Sequence, residues 1–227
     1  MIWIPEGAEL AHLRQGLYRF FAGAMLPPDQ ERVDEMVAAA GLLGRVGIDA
    51  FAFASTWWQV HAELQSLQRL DELAATHVRL FEAGTDGALC PPIESYYVAS
   101  PGQGGPAFVI AEVERDFLRN GSAVVHRAGL SAEHLSPQLE LMALLAGREA
   151  EGREAGNIVV VSDAIDEQRG FLERHLCRWI PPFATRTTQF APPGLYRALT
   201  AAIATFVDHD RELLHVLSPQ LAAGASG

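Results

Sequence analysis

Cysteine is scarce: the chain has only Cys90 and Cys177. Two residues at that separation give no disulfide framework and no paired-cysteine zinc motif. Basic residues are also few, 17 Lys plus Arg against 28 Asp plus Glu, for a formal net charge of -11. Non-specific nucleic-acid binding needs a cationic face to neutralise phosphates, and anionic lipid headgroups ask for the same. Composition argues against both partners. No uncharged run approaches the ~20 residues needed to cross a bilayer. Met1–Pro5 lacks the charged and long apolar regions of a secretory signal, so the cytoplasm is the expected location. Ile158–Val161 is the one β-looking run, and a single strand cannot make a sheet. No phosphate-type glycine loop follows it, and no internal repeat is present.

What is there is helical. Hydrophobic residues make up 49% of 227, enough for the core of a folded domain. Leu10, Leu13, Leu17, Phe20 and Phe21 predict a helix over Ala8–Ala24, ended by Pro27-Pro28. Asp29 caps a second helix through Val33, Met36 and Val37, which Gly41 closes. Asp49–Ser55 is a further short helical piece. From Thr56, the stripe Trp57, Val60, Leu64, Leu67, Ala74, Val78 and Phe81 predicts one long amphipathic helix ended by Gly84. Loops follow at 84–92 and at Pro101–Pro106. A helix through Phe108, Val109, Val113, Phe117 and Leu118 stops at Asn120-Gly121.

Glu133-His134-Leu135-Ser136-Pro137 opens the most apolar helix, in which Leu139, Met142 and Leu145 share one face and Leu141 and Leu144 another. Ser136 suits the N-cap and Pro137 the first helical position, which puts Glu133 and His134 in the preceding turn. A helix this apolar is surrounded by protein. Gly147–Gly156 reads as a mobile excursion and Ile158–Val161 as an extended connector, with Ser162 or Asp163 capping the next helix. That helix spans Ile165–Trp179 and ends at Pro181-Pro182. Pro193 opens the last one, through Leu195, Leu199, Ile203, Phe206, Leu213 and Leu217. The expected architecture is an all-α, single-domain bundle over 1–221, with 222–227 a flexible tail.

Eight histidines raise the question of a metal. None forms a paired-histidine helical motif; His175 and Cys177 diverge on a helix, as do His209 and His215, so no metal ligands are assigned. Neither Cys90 nor Ser95 lies in a nucleophile signature, so no catalytic residue is assigned either. Glu133 and His134 sit at a helix N-terminus, where the local dipole favours an anion and disfavours a charged imidazole. They read equally as an acidic contact for a basic peptide or as groups satisfying local backbone. Pro92-Ile93-Glu94-Ser95-Tyr96-Tyr97 places rigid prolines and aromatics on a loop. It reads as an apolar recognition wall or as hinge packing.

Together these stretches resemble the TorD/DmsD family of redox-enzyme maturation chaperones, which is related to the nitrate reductase assembly chaperones. The Pro-x-x-Ser-x-Tyr/Trp loop of that family matches Pro92–Tyr97. Its Asp-His turn before a Glu-Leu-rich helix matches Glu133-His134 and Leu139–Met142, with Glu133 in place of the usual Asp. Its Phe-Leu-x-x-His-Leu-x-x-Trp-x-Pro-x-Phe segment matches Phe171-Leu172, His175-Leu176, Trp179, Pro181 and Phe183. Leu17–Phe21 and Arg79–Phe81 are similar too, so the likeness extends from about Leu10 to about Leu217.

The resemblance implies a cytoplasmic, non-enzymatic chaperone. It would bind the twin-arginine leader and apo form of a molybdenum- or tungsten-cofactor oxidoreductase subunit until cofactor insertion and export. A nitrate-reductase-type assembly factor for a non-exported client is the alternative within that class; a helical enzyme of unknown substrate is the alternative outside it. The resemblance places leader contacts at Pro92, Ile93, Tyr97, Glu133 and His134. A twin-arginine leader wants acidic groups beside an apolar groove, which adds Glu94 and Tyr96. Trp179, Phe171 and Phe183 belong to the core. No cofactor of its own is implied. Expected partners are the client subunit and molybdenum-cofactor insertion proteins. The chain would act as a monomer or homodimer, with Pro101–Pro106 and Gly147–Gly156 as hinges for segment exchange. Glu133→Ala is expected to weaken leader binding with little change in stability.

Overall fold

Helix α7 (Leu135–Glu154) is buried along most of its length. The structure is a computed structural model describing residues 6–82, 87–100, 102, 104–120 and 129–224. In chain order α7 is preceded by α1 (Gly7–Ala24), α2 (Gln30–Leu43), a 3-10 turn (Ile48–Ala50), α3 (Ala54–Ser66), α4 (Leu70–Phe81), α5 (Glu94–Val98) and α6 (Gly105–Arg119). It is followed by α8 (Ile158–Phe171), a π-helical turn (Leu172–Leu176), α9 (Cys177–Phe190) and α10 (Leu195–Gly224). The described residues contain no strand, and the all-α expectation holds.

α1 lies antiparallel along α7. Ser136 Oγ donates to the Ala22 carbonyl at 2.6 Å near one end, Arg14 meets Glu149 further along, and His12 meets Glu154 at the other. α8 covers another side of α7, and α10 closes the bundle against α3, α8 and α9. Apolar side chains of all these helices form one core. In it Trp57 packs edge-on to Phe20 and Phe21, and Trp179 packs on Tyr97 and Phe183. As expected, Trp179, Phe171 and Phe183 are fully buried.

Several local expectations fail, each for a physical reason. α7 starts one residue before Ser136: His134 is the N-cap, its Nδ1 accepting from Ser136 N–H at 3.1 Å. Pro137 still falls in the first turn, where a missing N–H costs nothing. α2 runs past Gly41 to Leu43, with Gly44 as its C-cap. The long helix from Thr56 is two helices. Ser66 Oγ bonds back to the Glu63 carbonyl at 3.0 Å, Leu67 turns extended, and Asp71 and Glu72 begin α4 at the end where acidic residues suit the dipole. The restart rotates the inward face onto Leu73, His77, Leu80 and Phe81, leaving Val78 exposed. Gly84, the expected terminator, lies outside the described residues.

The segment after Gly147 is helix as far as Glu154, not an excursion. A Cβ at Gly147 would meet the Gln15 side chain, and one at Gly152 would lie 3.0 Å from Val160 and Val161. Gly152 therefore lets α8 approach closely, which offsets its helix penalty of about 1 kcal/mol, while Gly147 leaves room for the Gln15 amide. Ile158–Val161 is helical too, because Asn157 caps α8 by accepting from Val160 N–H at 3.2 Å and Val161 turns into the core. Pro181 and Pro182 lie inside α9, and the rod from Ile158 to Phe190 is continuous. The π-helical turn just upstream widens the helix, one of the recognised ways an α-helical ladder absorbs an irregularity. α10 continues through Pro219 to Gly224, so 222–224 of the expected tail are helical and 225–227 lie outside the described residues.

Candidate functional site

Residues 92–94 and 133–135 meet as a short antiparallel pair. Leu135 N–H donates to the Pro92 carbonyl at 2.9 Å, Glu94 N–H donates to the Glu133 carbonyl at 3.1 Å, and Ile93 stands opposite His134. The two motifs singled out in the sequence are thus one structural unit. Prolines suit the extended entry, because Pro91 and Pro92 have no N–H to satisfy. The unit is tied to α4 as well, where Cys90 N–H donates to the Leu80 carbonyl at 2.6 Å. Cys90 itself is buried, and burial pushes its thiol up, as burial also pushes Cys177 up to about 11. Both remain thiols at neutral pH.

The two glutamates expected at this site turn inward. Glu133 is 6% exposed, and its carboxylate accepts from Ser95 N–H at 2.9 Å, satisfying a first-turn donor of α5. Glu94 is 1% exposed. It accepts from Gln138 Nε2 at 2.7 Å, and both its oxygens lie 3.1 Å from His175 Nδ1. The chain of contacts continues on both sides. Gln138 Oε1 accepts from Trp179 Nε1 at 3.0 Å, while His175 Nε2 faces Asp116 Oδ2 at 3.1 Å. Arg174 Nε donates to the same Asp116 oxygen at 2.8 Å. This buried polar network joins α5, α6, α7, the π-helical turn and α9 behind the motif loop. His175 reaches both carboxylates from within the π-helical turn.

At the motif loop Tyr96 is exposed, Ile93, Tyr97 and His134 are partly buried, and Pro92 is buried. Tyr96 is half exposed and packs edge-on to Tyr97. Tyr97 stacks on Trp179 at 5.8 Å, and its hydroxyl is buried with no partner among the described residues. Burial raises its pKa, so it stays protonated. His134 is held neutral: desolvation, with His77 adding, pushes it down to about 4. That fits its role as acceptor in the α7 cap. Among the described residues no group of three or more His, Cys, Asp or Glu is placed to hold a metal ion. No described helix is long and apolar enough to cross a membrane.

One turn along α7, Pro137 lines the end of a groove of about 940 Å³ between α1, α2 and α7. Phe20, Met36, Leu141 and Leu144 give it apolar surface, Arg19, Arg32, Arg148, Glu35 and Glu140 also line it, and Gly23 opens into it with nothing within 4 Å of where a Cβ would be. Sequence reasoning missed this groove, because it arises only when three helices lie side by side. It also missed Asp116, Gln138 and Arg186. Arg186 lies between Phe183 and Phe190 at helical spacing, a signal hidden once Pro181-Pro182 was read as a terminator.

The described residues thus form an all-helical bundle in which a loop–turn unit is backed by a buried polar network. The chain belongs to the nitrate reductase delta subunit family, the TorD family, whose family model matches residues 50–185. It is 32% identical over 148 residues to a chaperone protein TorD from Vibrio cholerae, a match covering 64% of this chain and 64% of that relative. The chain therefore spans under two thirds of that relative's length in the match. A chaperone protein TorD from Vibrio vulnificus is 26% identical over 208 residues, covering 87% of this chain and 91% of its own. A crystal structure described as a redox enzyme maturation protein, from Archaeoglobus fulgidus, superposes with a TM-score of 0.52 at 16% identity, covering 95% of this chain and 98% of that one. That likeness speaks for the fold.

Proposed function

We propose that this chain is a client-specific chaperone for a molybdenum- or tungsten-cofactor oxidoreductase. It binds the twin-arginine leader and the apo subunit in the cytoplasm and releases them after cofactor insertion, with no catalytic turnover of its own. The observation that carries this reading is the pairing of Pro92–Glu94 with Glu133–Leu135, which joins the two motifs into one unit beside the exposed Tyr96. The family's chaperone relatives support it. Glu94 and Glu133 hold this unit in shape from beneath, and attraction of the cationic leader falls to the net charge of -11. The apolar stretch after the arginine pair lies along the groove that begins at Pro137.

Isothermal titration with twin-arginine leaders of molybdoenzymes tests this, each beside a Lys-Lys variant and a scrambled control. Saturable binding to one leader, weakened by salt and by Tyr96→Ala, is the expected result. Failure of every leader to bind the folded protein would end the reading. The description of the matching family favours a second one, an assembly factor for a nitrate-reductase-type client that is not exported. Binding to such a client's N-terminal segment without dependence on an arginine pair would select it.

A further inference from the structure

Next to the motif loop stands a cation with no anion beside it among the described residues. Arg186 of α9 is half-buried, and its Nε donates to the Leu89 carbonyl at 2.5 Å. Its guanidinium carbon lies 5.3 Å from the centroid of the Tyr96 ring and 4.8 Å from that of Phe190. Those two rings are 50% and 42% exposed. Among the described residues no carboxylate pairs with Arg186 and its two terminal nitrogens make no hydrogen bond, in a chain where acids outnumber bases 28 to 17.

Cation–π contact with two rings and the bond to Leu89 restrict the position of the guanidinium. A guanidinium held this way offers a planar, forked donor, and its best ligand is a carboxylate bound through both terminal nitrogens. The exposed rings beside it present rigid surface to an apolar side chain. The same unpaired charge repels a lysine or arginine placed there, so the site selects by exclusion as well as by attraction.

We propose that Arg186, Tyr96 and Phe190 form a specificity subsite that takes a carboxylate-bearing residue of the bound client peptide beside an apolar one and rejects a basic residue at that place. This rests on the reading that a client leader lies on the Pro92–Val98 surface. It adds a direction to the bound peptide: the arginine pair is kept away from the α9 end, and an acidic position falls on it.

A charge scan tests it. The leader that binds is made with Glu, Gln or Lys at each position outside the arginine pair and titrated into the wild type, Arg186→Gln and Phe190→Leu. In the wild type, one position is expected to favour Glu over Lys by about tenfold or more, the scale of one well-made charge-assisted pair. Arg186→Gln should bring that ratio close to one at that position alone. Phe190→Leu, an exposed change that leaves the fold intact, should lower it at the same place. An unchanged ratio in both variants overturns the proposal. So does a uniform loss of affinity at every position, since that would mean Arg186 only anchors the loop through Leu89. Absence of binding by any leader to the wild type is a different result, and removes the parent reading together with this one.

Discussion

The carboxylate of Glu133 reaches little solvent, so its removal should be felt in folding before it is felt in binding. Glu133→Ala leaves the buried Ser95 N–H without its acceptor, at a cost of about 1–3 kcal/mol read from the urea midpoint. Glu133→Gln keeps an acceptor oxygen and should recover most of that. An Ala variant with an unchanged midpoint would mean that water takes the place of the carboxylate. Read from the sequence, Glu133 could be changed without loss of stability; its burial predicts that stability and leader affinity fall together. His134 makes the second prediction at this scale. Its folded pKa of about 4 lies below the ordinary histidine value of about 6.5. The unfolded chain therefore binds its proton first as pH falls. The contribution of the neutral ring is complete above about 6.5 and is lost on descending towards 4. Comparing wild type with His134→Gln, the wild-type advantage should shrink across that window. A constant gap would show that His134 does not titrate there.

Among the elements, α1 and α7 line the groove, and each carries a glycine whose surroundings differ. Gly23 faces open space with ordinary helical geometry, so Gly23→Leu should raise stability by about 1 kcal/mol through helix propensity alone. The added side chain would fill the groove beside Pro137 and Leu26. Leader affinity is therefore expected to fall while the melting temperature rises, a combination that general damage to the fold cannot produce. Unchanged affinity would place the apolar part of the leader elsewhere. Gly147 is the contrast, since a Cβ there meets the amide end of Gln15, which would have to swing aside. The two positions look alike in the sequence; only the neighbouring helix separates them.

For the whole molecule, a second buried network ties distant helices together. Arg14 of α1 donates to Asp210 of α10 at 2.5 Å and to Glu149 of α7 at 2.6 Å, and it also reaches Gln168 of α8. Tyr18 donates to Asp210 at 2.6 Å, and Arg153 pairs with Glu149 at 2.8 Å. Four helices are thereby fastened at one point. Arg14→Met leaves buried carboxylates facing one another without their shared cation, and should cost about 3–5 kcal/mol in chemical denaturation. Burial acts to raise the Glu149 pKa, but Arg14, Gln168 and Arg153 hold it below the usual carboxylate range. The stability this supplies is present at neutral pH and is lost as pH falls through that lowered value. A variant as stable as the wild type would mean that solvent enters and screens the pair.

Composition and periodicity by themselves determined that this chain is a helical bundle. The stripes through Leu10–Phe21, Val109–Phe117 and Leu195–Leu217 match helices whose apolar faces are buried. They also brought out Pro92–Tyr97 and Glu133-His134, because short motifs with prolines, aromatics and paired ionisable groups are legible without a fold. Where local signals were weak or mixed, the reading failed. The stripe from Thr56 hid a break, Gly147 passed for a loop, Ile158–Val161 for a connector and Pro181-Pro182 for an end. Some of these outcomes rest on local groups that the stripes hide, such as the Asn157 cap and the Ser66 bond to Glu63. The inward turn of Glu94 and Glu133, the two-carboxylate setting of His175 and the contact of Arg186 with Tyr96 and Phe190 were decided by tertiary structure. The reason is physical: helical period depends on residues three or four apart, whereas burial, pairing and charge neutralisation depend on which helices meet.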